Sequence, residues 1–81
     1  MDRKLRASQA DRLLNDDVLQ EAFSVIKKSQ IEVFTSPNSS QEDIMEASRM
    51  VRALGAIEDQ LMSFVTDGKL LERQEKGQHR G

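Results

Sequence analysis

The stretch Ala47-Ser48-Arg49-Met50-Val51-Arg52-Ala53-Leu54-Gly55-Ala56-Ile57-Glu58-Asp59-Gln60-Leu61-Met62-Ser63-Phe64 carries the clearest pattern in the chain. Ala47, Met50, Leu54, Ile57, Leu61 and Phe64 recur at spacings of 3, 4, 3, 4 and 3, which is the repeat of a heptad seam on one side of a helix. Arg49, Arg52, Glu58, Asp59 and Gln60 fall between them and keep the opposite side wet. Working back from the seam, Thr35-Ser36-Pro37-Asn38-Ser39-Ser40 is a turn, because proline disfavours helix at the residue before it and Ser and Asn compete for backbone hydrogen bonds. Ser39 followed three residues later by Glu42 makes a capping box, with Ser40 and Asp43 as the alternative register. Working forward, Asp67-Gly68 offers a glycine C-cap. These marks predict a helix over 40–67. Gly55 lies inside it at a cost of about 1 kcal/mol relative to alanine, so either another helix crosses closely there or the residue is simply tolerated.

A matching helix is expected over 17–35. Asn15-Asp16-Asp17 announces its start with Asp16 as N-cap and carboxylates at the positive end of the helix dipole. Leu19, Ala22, Phe23, Ile26, Val33 and Phe34 gather on one side, and Glu21, Lys27, Lys28 and Glu32 face out. Two long helices joined by a short turn make an antiparallel hairpin. Ahead of it, Leu5, Ala10, Leu13 and Leu14 among Arg3, Lys4, Arg6 and Arg12 read as a shorter, basic amphipathic helix over 2–14. After Gly68 only Leu70 and Leu71 can anchor a further turn or two, and 75–81 has nothing to bury and is expected to be disordered. The fold class is therefore all-α: one helical domain over 1–74, a hairpin with a short N-terminal helix, assembling through the heptad seam.

Composition narrows the function. With 81 residues, 37% hydrophobic and 32% charged, the chain supports a helical stripe but no thick core, so association is the default expectation. It contains no cysteine, which removes disulfides and thiolate metal sites and leaves packing between chains as the staple. No apolar run is long enough for a membrane span, and Met1-Asp2-Arg3-Lys4 lacks the apolar stretch of a signal peptide, so the reading is of a protein that is neither membrane-bound nor secreted. Formal net charge is −2, with net +2 over 1–14, −2 over 15–35, −4 over 36–68 and +2 over 69–81. Nucleic acid could be met only through the basic termini.

Catalytic, cofactor and metal sites are not expected. His79 is the single histidine and stands in the expected tail, which leaves no Ser-His-Asp arrangement and no His-based zinc site. Asp16-Asp17 and Glu42-Asp43 are carboxylate pairs explained by capping. No glycine-rich phosphate loop is present, and Phe23, Phe34 and Phe64, the only aromatics, all lie on apolar stripes and read as core. Both long helices begin with acids, which is unlike a DNA recognition helix. Met45, Met50 and Met62 lie on or beside the seam as adaptable packing residues.

The run Arg12-Leu13-Leu14-Asn15-Asp16-Asp17-Val18-Leu19-Gln20-Glu21-Ala22-Phe23, the second helix through Arg49 to Ile57, and Val65-Thr66-Asp67-Gly68-Lys69 together resemble small helical proteins encoded near head and DNA-packaging genes of tailed bacteriophages and prophages. The resemblance covers about residues 10–70. It implies a non-enzymatic virion or assembly role, with many copies of a helical hairpin packing together or onto a larger head, portal or neck protein, in the virion or the bacterial host cytoplasm. The alternative is a soluble accessory binder, such as a packaging factor or an inhibitor of a host protein, docking the seam Ala47, Met50, Leu54, Ile57, Leu61 and Phe64 into a groove.

Overall fold

The computed structural model describes residues 1–78, with the side chain of Gln78 left aside. The described residues form three helices and no strand: α1, Arg3–Leu14; α2, Asp17–Thr35; and α3, Gln41–Gln78. The protein is all-helical, as its periodicity demands.

Each boundary has a local cause. Asp2 caps α1, its carboxylate accepting hydrogen bonds from the backbone N–H of Lys4 at 2.7 Å and Leu5 at 3.3 Å. At the other end Asn15 closes α1 by donating from its side-chain amide to the Asp11 carbonyl at 2.8 Å. α2 begins at Asp17, directly after the expected cap Asp16, and stops at Thr35, whose hydroxyl donates to the Glu32 carbonyl at 3.1 Å. In the turn that follows, the N–H of Asn38 donates to the Ser36 hydroxyl at 3.4 Å and that of Ser39 to the Ser36 carbonyl at 3.3 Å. The capping box ahead of α3 takes the second register. The Ser40 N–H donates to the Asp43 carboxylate at 3.0 Å and the Asp43 N–H to the Ser40 hydroxyl at 3.1 Å, so Ser39 and Glu42 are not the pair that starts the helix.

The expected stop at Asp67-Gly68 does not occur. α3 runs on to Gln78, so Lys69–Gln78 is helical, including 75–78 of the expected tail; residues 79–81 lie outside the described ones. Gly68 has an ordinary helical φ rather than the left-handed one of a C-cap. Its reason is steric. A Cβ built at Gly68 would overlap the Cβ of Ala7, so the bare backbone admits α1 to a distance no alanine would allow. Gly55 is the opposite case, since a Cβ there would meet nothing within 4 Å; no close crossing demands it.

The chain divides into two compact units. The first comprises Met1–Asp16 with α3 from Glu58 onward, and its buried residues are Ala7, Ala10 and Gly68. Of the expected anchors of α1, Ala10 is buried and Leu14 half-buried, whereas Leu5 and Leu13 are 51% and 46% exposed, and the second buried residue of α1 is Ala7. The second unit comprises Asp17–Ile57 and is organised around buried Phe23, Ala47 and Leu54. No helix among the described residues is long and apolar enough to cross a membrane.

Candidate interaction surface

The six residues of the sequence seam separate into two sets. Ala47 and Leu54 are buried and Leu61 and Phe64 half-buried, whereas Met50 and Ile57 are 44% and 49% exposed. In their place the positions that turn inward in the second unit are Ile44, Ala47, Val51 and Leu54, and in the first unit Glu58, Leu61, Val65 and Gly68. The two series share 47, 54 and 61; 51 stands for 50 and 58 for 57, while Phe64 and Val65 are both half-buried. One residue is a rotation of about 100° on a helix of 3.6 residues per turn. Met50 and Ile57 therefore lie on the flank of the buried row, not in it.

α2 is mixed in the same way. Phe23 is buried and Leu19, Gln20, Lys27, Gln30 and Val33 are half-buried, so three of the six positions facing the interior are polar, and Lys27 does not face out as its charge suggests. The apolar residues Leu19 and Ile26 stand one position before Gln20 and Lys27. Leu19 is half-buried and Ile26 is 38% exposed. Ala22 is exposed beside them, and Phe34, expected in the core, is 44% exposed. The lysine stem can cover apolar surface while its ammonium reaches outward, which allows an inward lysine without a buried charge.

The first unit is bound by charge. The Arg3 guanidinium donates to both carboxylate oxygens of Asp67, at 3.0 and 2.5 Å, and Arg6 reaches the same carboxylate at 3.5 Å. Lys4 pairs with Glu75. The Arg6 guanidinium also lies over the Phe64 ring, 4.2 Å from its centroid, a cation–π contact that shields the ring. The hydrogen bond from Arg3, then the charges of Arg3 and Arg6, hold the Asp67 carboxyl below its ordinary value against a smaller opposing effect of desolvation. The same hydrogen bond raises Arg3, and the one that Lys4 donates to Glu75 raises Lys4. Three of the four basic side chains of α1, those of Arg3, Lys4 and Arg6, are thus engaged with acids of α3.

Of the carboxylate pairs, Asp43 is occupied in the Ser40 cap, and Asp17 opens α2. Among the described residues no group of three or more His, Asp or Glu side chains gathers as a metal site would require; His79 lies outside them. The hollow beside Gly68 in the first unit, about 350 Å³, is rimmed by Lys4, Asp11, Lys69 and Glu72, two bases and two acids whose charges offset. What the molecule does present is apolar surface. Among the described residues thirteen large hydrophobic side chains are exposed against five buried hydrophobic ones, three of which are alanines, with others such as Leu61 and Phe64 half-buried.

Searches against protein-family models, characterised proteins and solved structures return no match.

Proposed function

We propose that the protein is a non-enzymatic assembly component whose α2–α3 segment acts as an antiparallel helical hairpin and whose heptad seam is the surface that other protein covers. The observation that carries this reading is the exposed half of the seam, Met50 and Ile57, standing beside buried Ala47 and Leu54 in a chain that leaves thirteen large hydrophobic side chains in water. Such a surface is stabilised by being buried, at about 25 cal/mol for each Å² of apolar area removed from water. Chemistry of a site would need convergent polar groups in a concavity, whereas the charged groups of this chain converge on one another, as Arg3, Arg6 and Asp67 do.

The resemblance to small proteins of tailed-phage head and packaging regions is what supports a virion setting for this assembly: copies lining or decorating a head, portal or neck, in the particle or in the cytoplasm of the infected bacterium. The test is to purify particles from the source and quantify the protein by mass spectrometry against the major coat protein. A fixed copy number matching portal or capsid symmetry supports the virion role. Absence from the particles transfers the reading to an accessory binder, a packaging factor or an inhibitor of a host protein, using the same seam.

A further inference from the structure

We propose that Arg3, Lys4 and Arg6 of α1 are a phosphate-binding cluster for a nucleic-acid backbone, and that Asp67 and Glu75 of α3 occupy it until the backbone displaces them. α1 is then a cover latched to α3 by charge. This goes beyond the assembly reading and does not rest on it, since that reading concerns the exposed Met50 and Ile57 and the latch lies within the first unit.

The first turn of α1 holds Arg3, Lys4 and Arg6 and no acid. These like charges repel one another, and they stand at the positive end of the helix dipole, where bases are disfavoured. Asp2, just ahead, is turned to the backbone N–H groups of Lys4 and Leu5. The cluster therefore gains from an anion, and α3 supplies one. Two guanidinium groups converge on a single carboxylate: Arg3 donates to both oxygens of Asp67, at 3.0 and 2.5 Å, and Arg6 reaches it at 3.5 Å. A guanidinium fork closed on two oxygens of one anion is the geometry that also takes a phosphate, and a lysine meets phosphate as a point charge. Lys4, beside them, pairs with Glu75.

The contact is of a kind that exchanges. The side chains of Arg3 and Lys4 are each 55% exposed, with Asp67 at 26% and Glu75 at 47%, so a competing anion has access and the pairs are weakened by water. Beneath them α1 buries only Ala7 and Ala10, and methyl groups hold little once the charges are satisfied elsewhere. Release of α1 uncovers the Phe64 ring, over which the Arg6 guanidinium lies at 4.2 Å, and the bare backbone of Gly68 against which Ala7 packs.

The chemistry of the latch selects what opens it. An acidic peptide offers the same carboxylates that α3 already holds, with no advantage over groups on the same chain. A membrane surface needs an apolar side on the helix, and the side of α1 that carries Leu5 and Leu13 also carries Gln9 and Arg12. A nucleic-acid duplex presents about one phosphate charge per 1.7 Å and releases condensed counterions when cations replace them, a gain that an internal carboxylate does not give. Although the chain has net charge −2, residues 1–14 carry net +2 once freed from α3.

Because the chain has no cysteine, cysteines placed at exposed Gln9 and Gln74 give one pair of spin labels across α1 and α3. Pulsed EPR of the full chain then reads the separation of the two helices, and fluorescence anisotropy reads binding of a short DNA duplex of random sequence at low salt. The expected result is binding with a longer label distance. Asp67→Asn vacates the cluster and should tighten binding at least about fivefold more than Asp59→Asn, which removes the same charge from an exposed position on the same helix. Arg3→Gln with Arg6→Gln should weaken binding at least about tenfold. Should that pair lower helicity, the two asparagine variants still decide, since neither changes α1 or a buried residue. No DNA binding, DNA bound at an unchanged label distance, or equal effects of Asp67→Asn and Asp59→Asn would overturn the proposal. So would polyglutamate or phosphatidylserine vesicles that lengthen the distance where the duplex does not. Copy number in particles bears on the assembly reading alone.

Discussion

The two compact units are built on the same helix by different physics. Where α1 meets α3, the buried residues are Ala7, Ala10 and Gly68, none with more than a methyl side chain, and the binding is done by Arg3, Lys4 and Arg6 against Asp67 and Glu75. Where α2 meets α3, the buried residues include Phe23 and Leu54, and the flanks are apolar and wet. Small residues allow close backbone approach but bury little area, and ion pairs exposed to water contribute only about 0–1 kcal/mol each. The first unit is therefore closed by charge and weakly held, and the second is held by larger apolar side chains; both leave large hydrophobic side chains exposed, Leu5, Leu13, Met62 and Leu70 in the first and Met50 and Ile57 in the second.

The comparison breaks most readily at Leu54, which is 6% exposed. Leu54→Asp should abolish cooperative unfolding of Asp17–Ile57, costing more than about 3 kcal/mol because a carboxylate would be buried without a partner. Urea titration followed by circular dichroism reads this directly; an unchanged midpoint would remove Leu54 from the core. A pair of glycine substitutions sharpens the contrast through opposite signs. Gly68→Ala forces its new methyl into Ala7 and should loosen α1 by about 1–3 kcal/mol, seen as faster amide exchange over 3–14. Gly55→Ala meets nothing within 4 Å and should stabilise α3 by about 1 kcal/mol, raising Tm.

The smallest effect separates the units by pH. Asp67 has its folded pKa lowered from 3.8, so its contribution to stability is fully present above 3.8 and disappears as pH falls through the lower folded value. Helical chemical shifts of α1 should persist from neutral pH down to that region and weaken below it, while those of α2 should change less. In Asp67→Asn the acid-dependent part of the α1 change should be reduced; an identical acid response would show that Asp67 does not hold α1.

Local signals were readable wherever the cause is local. The limits of α2 at Asp17 and Thr35, the turn at Pro37 and the start of α3 all follow from capping and proline chemistry within a few residues. The choice between Ser39–Glu42 and Ser40–Asp43 was open by the same rules, and hydrogen bonding selects the second. Gly68 was misleading because its cause is distant: only the approach of Ala7, sixty-one residues earlier, explains a glycine inside a continuing helix. The seam was half legible. Periodicity marks 47, 54 and 61, but it cannot say whether the intermediate position is 50 or 51, because both are apolar; packing within the folded unit turns Val51 inward and leaves Met50 exposed. The charges that hold α1 were visible as a basic segment, yet their acidic partners Asp67 and Glu75 could be found only in three dimensions.

The central claim is that the seam has one side used within the chain and another left for other protein to cover, further copies of this chain included, and methionine oxidation tests it with the unaltered protein. Met45, Met50 and Met62 are 50%, 44% and 55% exposed, so in a lone chain peroxide should convert all three to sulfoxide at similar rates. Peptide mapping after a short peroxide pulse is made at high and at low protein concentration. The account predicts that Met50 alone becomes protected at high concentration while Met45 and Met62 continue to react. Oxidation of Met50 at the same rate as Met45 at every concentration would contradict it.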